Sequence, residues 1–165
     1  MGGEAWEGKD MLSRALQYVL NNRMNNAAFQ SQLGTELHKT LNCVKARYDF
    51  SVHGGAVSTI NLDDENGNNV VIPSGAIIWS GVIDILTAMA SAGGTGTIAL
   101  NSEGAGDLKA AVDADTLSGR AAIIPVGTAA SCIKLTADRT LTVSIATEAL
   151  TAGKFDLYVF YMFPQ

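Results

Sequence analysis

The chain has 165 residues, enough for one large domain or one domain with an appendage, and 47% of them are hydrophobic, so it can bury a substantial core. Only 16% are charged, against about a quarter in an average soluble domain, and the net charge is −5. An acidic chain without a basic face argues against nucleic-acid binding, and a surface so poor in charge is either built of Ala, Gly, Ser, Thr and Asn or covered by partners.

The first ten residues, M-G-G-E-A-W-E-G-K-D, lack a basic head followed by an apolar stretch, so no signal peptide is expected. Asp10 is a plausible N-cap. Leu12, Leu16, Val19 and Leu20 then recur at i, i+4, i+7 and i+8, one apolar stripe on a helix of about three turns. Phe29, Leu33, Leu37 and Leu41 step by four, which reads as a second helix weakened by Gly34 or as an extended arm. Residues 1–45 thus form an expected N-terminal helical or extended arm, packing on its own domain or on a neighbouring chain. The candidate partner contacts are Trp6 and Met11, just before the stripe, and the stripe itself: Leu12, Leu16, Val19 and Leu20.

At Ala46 helical spacing gives way to alternation, and residues 46–165 are expected to form a β domain. Tyr48, Phe50 and Val52 alternate with Arg47, Asp49 and Ser51 as a half-buried strand. A strand through Val57, Ile60 and Leu62 follows, then a turn over 63–69 in which Asn66-Gly67 is a strong hairpin signal. Val70-Val71-Ile72 resumes, and Pro73-Ser74-Gly75 turns again. The long apolar run 76–90 reads as a strand, joined by Gly93-Gly94-Thr95-Gly96 to another at Thr97-Ile98-Ala99-Leu100. Broken by Ser80, Gly81 and Asp84, that run is too short and too polar to span a membrane. Residues 107–112 suggest one helical turn capped by Asp107. Strands follow at 121–124, 132–135 and 141–145. The last, 154–163, has Phe155, Leu157, Val159 and Tyr161 on one face and Tyr158, Phe160 and Met162 on the other, as a central or intersubunit strand would. About eight short strands with regular turns predict a mainly β fold, an antiparallel, jelly-roll-like β-sandwich.

Tests for chemistry find no catalytic, cofactor or metal site. An EF-hand frame that places its glycine at Gly67 puts Leu62 first and Pro73 last, where oxygen ligands are needed. The glycines at 93–96 precede a strand and lack the lysine of a phosphate loop. His38 and Cys43, five apart, are poorly placed as a base and nucleophile pair. Acids in predicted loops read as solvated; Asp84 and Asp156 interrupt apolar strands and read as acids on an open strand face, with Arg120 or Arg139 as partners. Trp79, inside the apolar run, reads as core. Cys43 and Cys132 read as buried free thiols, with a single disulfide as the alternative.

Residues 46–163 resemble small tailed-phage virion structural proteins of the capsid decoration (cement) or head-fibre type. The likeness lies in the order of features: R-Y-D-F-S-V-H-G-G-A-V-S-T-I-N-L, I-P-S-G-A-I-I-W-S-G-V-I-D-I-L-T-A, G-G-T-G-T-I-A-L-N-S-E-G-A-G-D-L-K-A-A, A-A-I-I-P-V-G-T-A-A and R-T-L-T-V-S-I-A-T-E-A-L-T-A-G-K-F-D-L-Y-V-F-Y. The resemblance implies a non-enzymatic jelly-roll component of the particle that assembles as a homotrimer or larger set. It implies the major capsid protein as partner, and a virion location on the capsid surface after synthesis in the host cytoplasm. It implies no nucleic acid, membrane or cofactor. A receptor- or glycan-binding module of a fibre or tail is the alternative.

Overall fold

The computed structural model of the chain describes residues 42–123, 125 and 132–163. The expected arm lies outside the described residues, except that 42–45 are already strand. β1 runs Asn42–Asp49 because Ala46 and Tyr48 face the core while Cys43, Lys45 and Arg47 face outward, an alternation that starts before the composition changes. The strand expected to run on through Val52 stops at Asp49. There the Asp49 carboxylate accepts the Ser51 N–H and caps a single turn, α1 (Phe50–His53), which leaves Val52 73% exposed.

The remaining elements are β2 (Thr59–Asn61), β3 (Val71–Ile72), β4 (Ile77–Ser91), β5 (Thr97–Asn101), β6 (Lys109–Asp113), a 3-10 turn (Ala114–Thr116), β7 (Arg120–Ile123), β8 (Ile133–Lys134), β9 (Arg139–Thr140), β10 (Thr142–Ala146) and β11 (Leu150–Met162). The predicted hairpin turn forms: Asp63 bridges Asn69, Gly67 takes φ +79°, and the Asp64 carboxylate accepts the Asn66 and Asn68 N–H groups. The helical turn expected at 107–112 is instead β6. The Asp107 carboxylate accepts N–H groups of Ser102, Glu103 and Gly104 and so shapes a loop, and the ladder offered by β5 overrides the high but local helix propensity of Leu-Lys-Ala-Ala.

All pairings are antiparallel. The larger sheet is ordered β1-β11-β4-β7, with β8 also on β4; the smaller is β2-β10-β5-β6; β3 and β9 make a separate ribbon. If the two-residue strands β3, β8 and β9 are set aside and the other strands are numbered along the chain, the sheets read 1-8-3-6 and 2-7-4-5. Every link except β5–β6 therefore passes from one sheet to the other. The glycine loop between β4 and β5 is such a crossover.

Both sheets contribute to one core. Ala46, Tyr48, Ile78, Ile83, Phe155, Leu157 and Val159 come from the larger sheet, and Ile98, Leu100, Val143 and Ile145 from the smaller. Each large side chain buried this way contributes about 1.5–3 kcal/mol. β11 is central between β1 and β4, as its two apolar faces imply. Tyr48 stacks on Phe155 with ring centroids 5.4 Å apart and donates its hydroxyl to the Gly54 carbonyl at 2.7 Å; burial pushes its pKa up to about 12.

Candidate interaction surface

The outer face of the larger sheet concentrates the distinctive chemistry. Register places Arg47 opposite Asp156, Asp156 opposite Asp84, and Asp84 opposite Arg120, so one row across four strands reads Arg-Asp-Asp-Arg. Asp156 is only 4% exposed. Arg47 forks onto it, Nε to Oδ1 at 2.6 Å and Nη2 to Oδ2 at 2.9 Å, and Lys45 Nζ lies 3.2 Å away. Burial works to raise the Asp156 pKa, but the Arg47 and Lys45 hydrogen bonds outweigh it and hold the carboxyl below its ordinary value. Asp84 pairs with Arg120 at 3.3 Å, a looser contact because Arg120 is largely in solvent. Arg139, the other partner considered for these acids, instead holds Glu103 through Nε at 3.0 Å and Nη2 at 2.9 Å.

Next to the charged row the face turns apolar. Lys45, Tyr158, Val82 and Ala122 share the adjacent row, and Cys43, Phe160 and Ser80 the next. Trp79 joins this end, its ring 5.8 Å from that of Phe160. The expectation that Trp79 is core is wrong: it is 46% exposed. Alternation back from Ile83 and Gly81 would bury it. A bulge intervenes: Ser80 pairs with Phe160 but Ile78 pairs with Tyr161, so the extra residue turns Trp79 outward and Ile78 inward. Cys43 and Cys132 are free, as one reading held, but both are exposed rather than buried.

A cleft of about 220 Å³ lies at the β1 edge, lined by Arg47, Asp49, His53, Asp63 and Lys154 among others. Its charges are already paired. Lys154 meets Asp49 at 2.7 Å, and Lys154 and Ser51 together lower the Asp49 pKa to about 2. His53 Nδ1 accepts the Asp49 N–H at 3.0 Å, and Nε2 lies 3.0 Å from Asp63 Oδ2. The cleft is therefore a clasp fastening α1 and the 63–69 loop to the sheet edge. No group of three or more His, Cys, Asp or Glu side chains among the described residues is arranged to hold a metal. The glycine loop is not a phosphate cradle: the Gly93 and Thr95 N–H groups are taken by the Glu148 carboxylate.

The sequence-derived contacts Trp6, Met11, Leu12, Leu16, Val19 and Leu20 lie outside the described residues. Sequence reasoning missed the exposed ring of Trp79 and the four-strand row. The available signal was that Asp84 and Asp156 each interrupt an apolar strand, which marks the two acids and a partner such as Arg120 without showing that they share a row.

No protein-family model and no curated protein sequence matches the chain. Solved structures do. A chain of the Cyanophage Pam1 capsid asymmetric unit superposes with a TM-score of 0.56 at 15% identity, over 75% of this chain and 85% of that one. A chain of the acid-stable capsid structure of Helicobacter pylori bacteriophage KHP30 gives 0.53 at 15% identity, over 76% and 90%. A chain from the capsid of Ralstonia phage GP4 gives 0.49 at 18% identity, over 75% and 86%. At identities this low the Pam1 and KHP30 superpositions show a shared fold and nothing further.

Proposed function

We propose that the protein is a phage capsid decoration, or cement, protein: a jelly roll that sits on the outer shell, contacts the major capsid protein, assembles as a homotrimer and has no enzyme activity. The observation that carries this reading is the likeness to chains of the Pam1 and KHP30 capsids, which takes in most of both partners. Chains matched so completely are of comparable length, the size of an accessory domain. The strand order supports the jelly roll, because sheets of order 1-8-3-6 and 2-7-4-5 arise when a long antiparallel ribbon wraps around a barrel, the double Greek key found in viral capsid domains. Function does not follow from fold alone, so the surface must supply the rest.

Two elements are proposed to do so. Residues 1–41, with Trp6, Met11 and the stripe Leu12, Leu16, Val19 and Leu20, are the attachment arm. The Trp79–Phe160 pair on the outer face of the larger sheet, with the Trp79 ring exposed, has the aromatic composition of an interface centre. Three-dimensional reconstruction of the virion tests the assignment: the chain should occupy symmetry-related joints of the head. Density for it only in the tail would overturn it.

The exposed Trp79 ring also favours the alternative, a glycan-binding module of a fibre or tail, since such a ring can stack on a sugar. A glycan array with the purified protein decides between them: specific, Trp79-dependent capture supports the alternative, and no capture removes it.

A further inference from the structure

The β4–β5 crossover is held in an unusual way. The N–H groups of Gly93, Thr95 and Gly96 are satisfied by side chains instead of backbone carbonyls. Gly93 and Thr95 N–H donate to the two oxygens of Glu148, and the Thr95 hydroxyl adds a third bond at 3.1 Å. Gly96 N–H donates to Ser91 Oγ at 2.9 Å; that hydroxyl donates to Asp115 Oδ2 at 2.7 Å, and Ser91 N–H to Asp115 Oδ1 at 3.0 Å. Among the described residues the loop's own backbone bond is Ala114 N–H to Gly96 O at 2.9 Å. The glycines suit this arrangement: a Cβ on Gly93 would sit 2.9 Å from Glu148 Oε1, and one on Gly96 2.7 Å from Ser91 Cβ.

The ionisable groups at this end are Glu148 from the turn before β11, Asp115 from the 3-10 turn, and Asp113, which accepts the Asp115 N–H at 2.9 Å. Among the described residues no Lys, Arg or His lies within salt-bridge distance of any of them. The opposite end is built differently. Glu103 is gripped by Arg139, and Gly75–Leu135 and Leu135–Ala76 backbone bonds at 2.9 Å close the loops beside it.

We propose that the β4–β5 crossover is an acid-operated catch: Glu148 and Asp115 hold it shut, and their protonation frees residues 91–96 while the opposite end of the sandwich stays closed. Protonation turns an accepting oxygen into a donor facing an N–H, so these bonds cannot all survive it. Hydrogen bonds from neutral donors lower both pKa values, whereas the Arg139 guanidinium takes Glu103 down to about 2. With all three pKa values lowered, each contact is intact above the ordinary carboxylate range and lost as pH falls through the folded value. The catch opens first because Glu103 alone has a charged partner.

Amide exchange on the full chain, corrected for the intrinsic pH dependence, tests this. As pH falls below the ordinary carboxylate range the protection of Gly93, Thr95 and Gly96 should fall by about tenfold or more, while Gly75 and Leu135 keep theirs. In Glu148→Gln/Asp115→Asn the three loop amides should be open already at pH 7 and insensitive to acid. Loop protection that stays constant over this range, or falls in step with Leu135, would overturn the proposal. The wild-type titration decides this even if the double variant does not fold.

Discussion

Gly81→Ala puts the packing of the larger sheet to a quantitative test. Gly81 is buried in β4 between Val159 of β11 and Ile123 of β7. A Cβ there would lie 2.4 Å from the Tyr158 carbonyl oxygen and 2.5 Å from Ile123 Cδ1, against ordinary contacts of 3.4 Å and more. Relief therefore requires a shift of about 1 Å, and the nearest atom belongs to the backbone of the central strand, which cannot swing aside as a side-chain tip can. Its φ is not in the left-handed region, so alanine adds no backbone strain and gains about 0.4–1 kcal/mol by restricting the unfolded chain. Overpacking costs about 1–3 kcal/mol. The balance, a net loss of about 1.3 kcal/mol, lowers Tm by roughly 3–8 °C for a domain of this size. Thermal and urea unfolding followed by circular dichroism measure it. Adding Ile123→Ala should not rescue the variant, because the backbone contact is untouched. A Gly81→Ala protein melting within about a degree of wild type would show that the two strands are not packed this closely.

Deleting residues 1–41 should leave a folded domain that no longer binds particles stripped of the native chain, while deleting 1–45 also removes the first four rungs between β1 and β11 and lowers Tm further; unfolding curves and particle pull-down on both truncated proteins separate the effects. Trp79→Ser should change stability by no more than about 0.5 kcal/mol but weaken particle binding, since the ring is half in solvent. Arg120→Ala should be near-neutral in urea unfolding, about 0.5 kcal/mol or less, as expected of an exposed pair. Glu103 and Asp49, both lowered to about 2, stabilise the fold above the ordinary carboxylate range, and that contribution is lost as pH falls toward 2; Glu103→Gln should flatten the acid limb of a Tm-against-pH curve, and an unchanged limb would refute the assignment.

Most of the strands were legible in the order of amino acids alone. Period-two alternation is local, so Phe155, Leu157 and Val159 could be put on one face of a strand whose two apolar faces called for a central or an intersubunit place; the fold made that face the core and the place central. Turns that need a left-handed residue were equally legible, as at Asn66-Gly67. Features that depend on register were not legible. A single bulge inverted the phase of β4 and put Trp79 outside, and nothing within β4 announces it because its cause is the pairing with β11. The Arg47-Asp156-Asp84-Arg120 row joins residues from four strands far apart in the chain, so only the tertiary fold could assemble it. The loop acids were read as solvated because composition cannot show what an oxygen accepts. Glu148, Asp115 and Glu103 prove to hold the backbone and side chains of other segments, a role that exists only once β-strands have brought those segments to the same end of the sandwich.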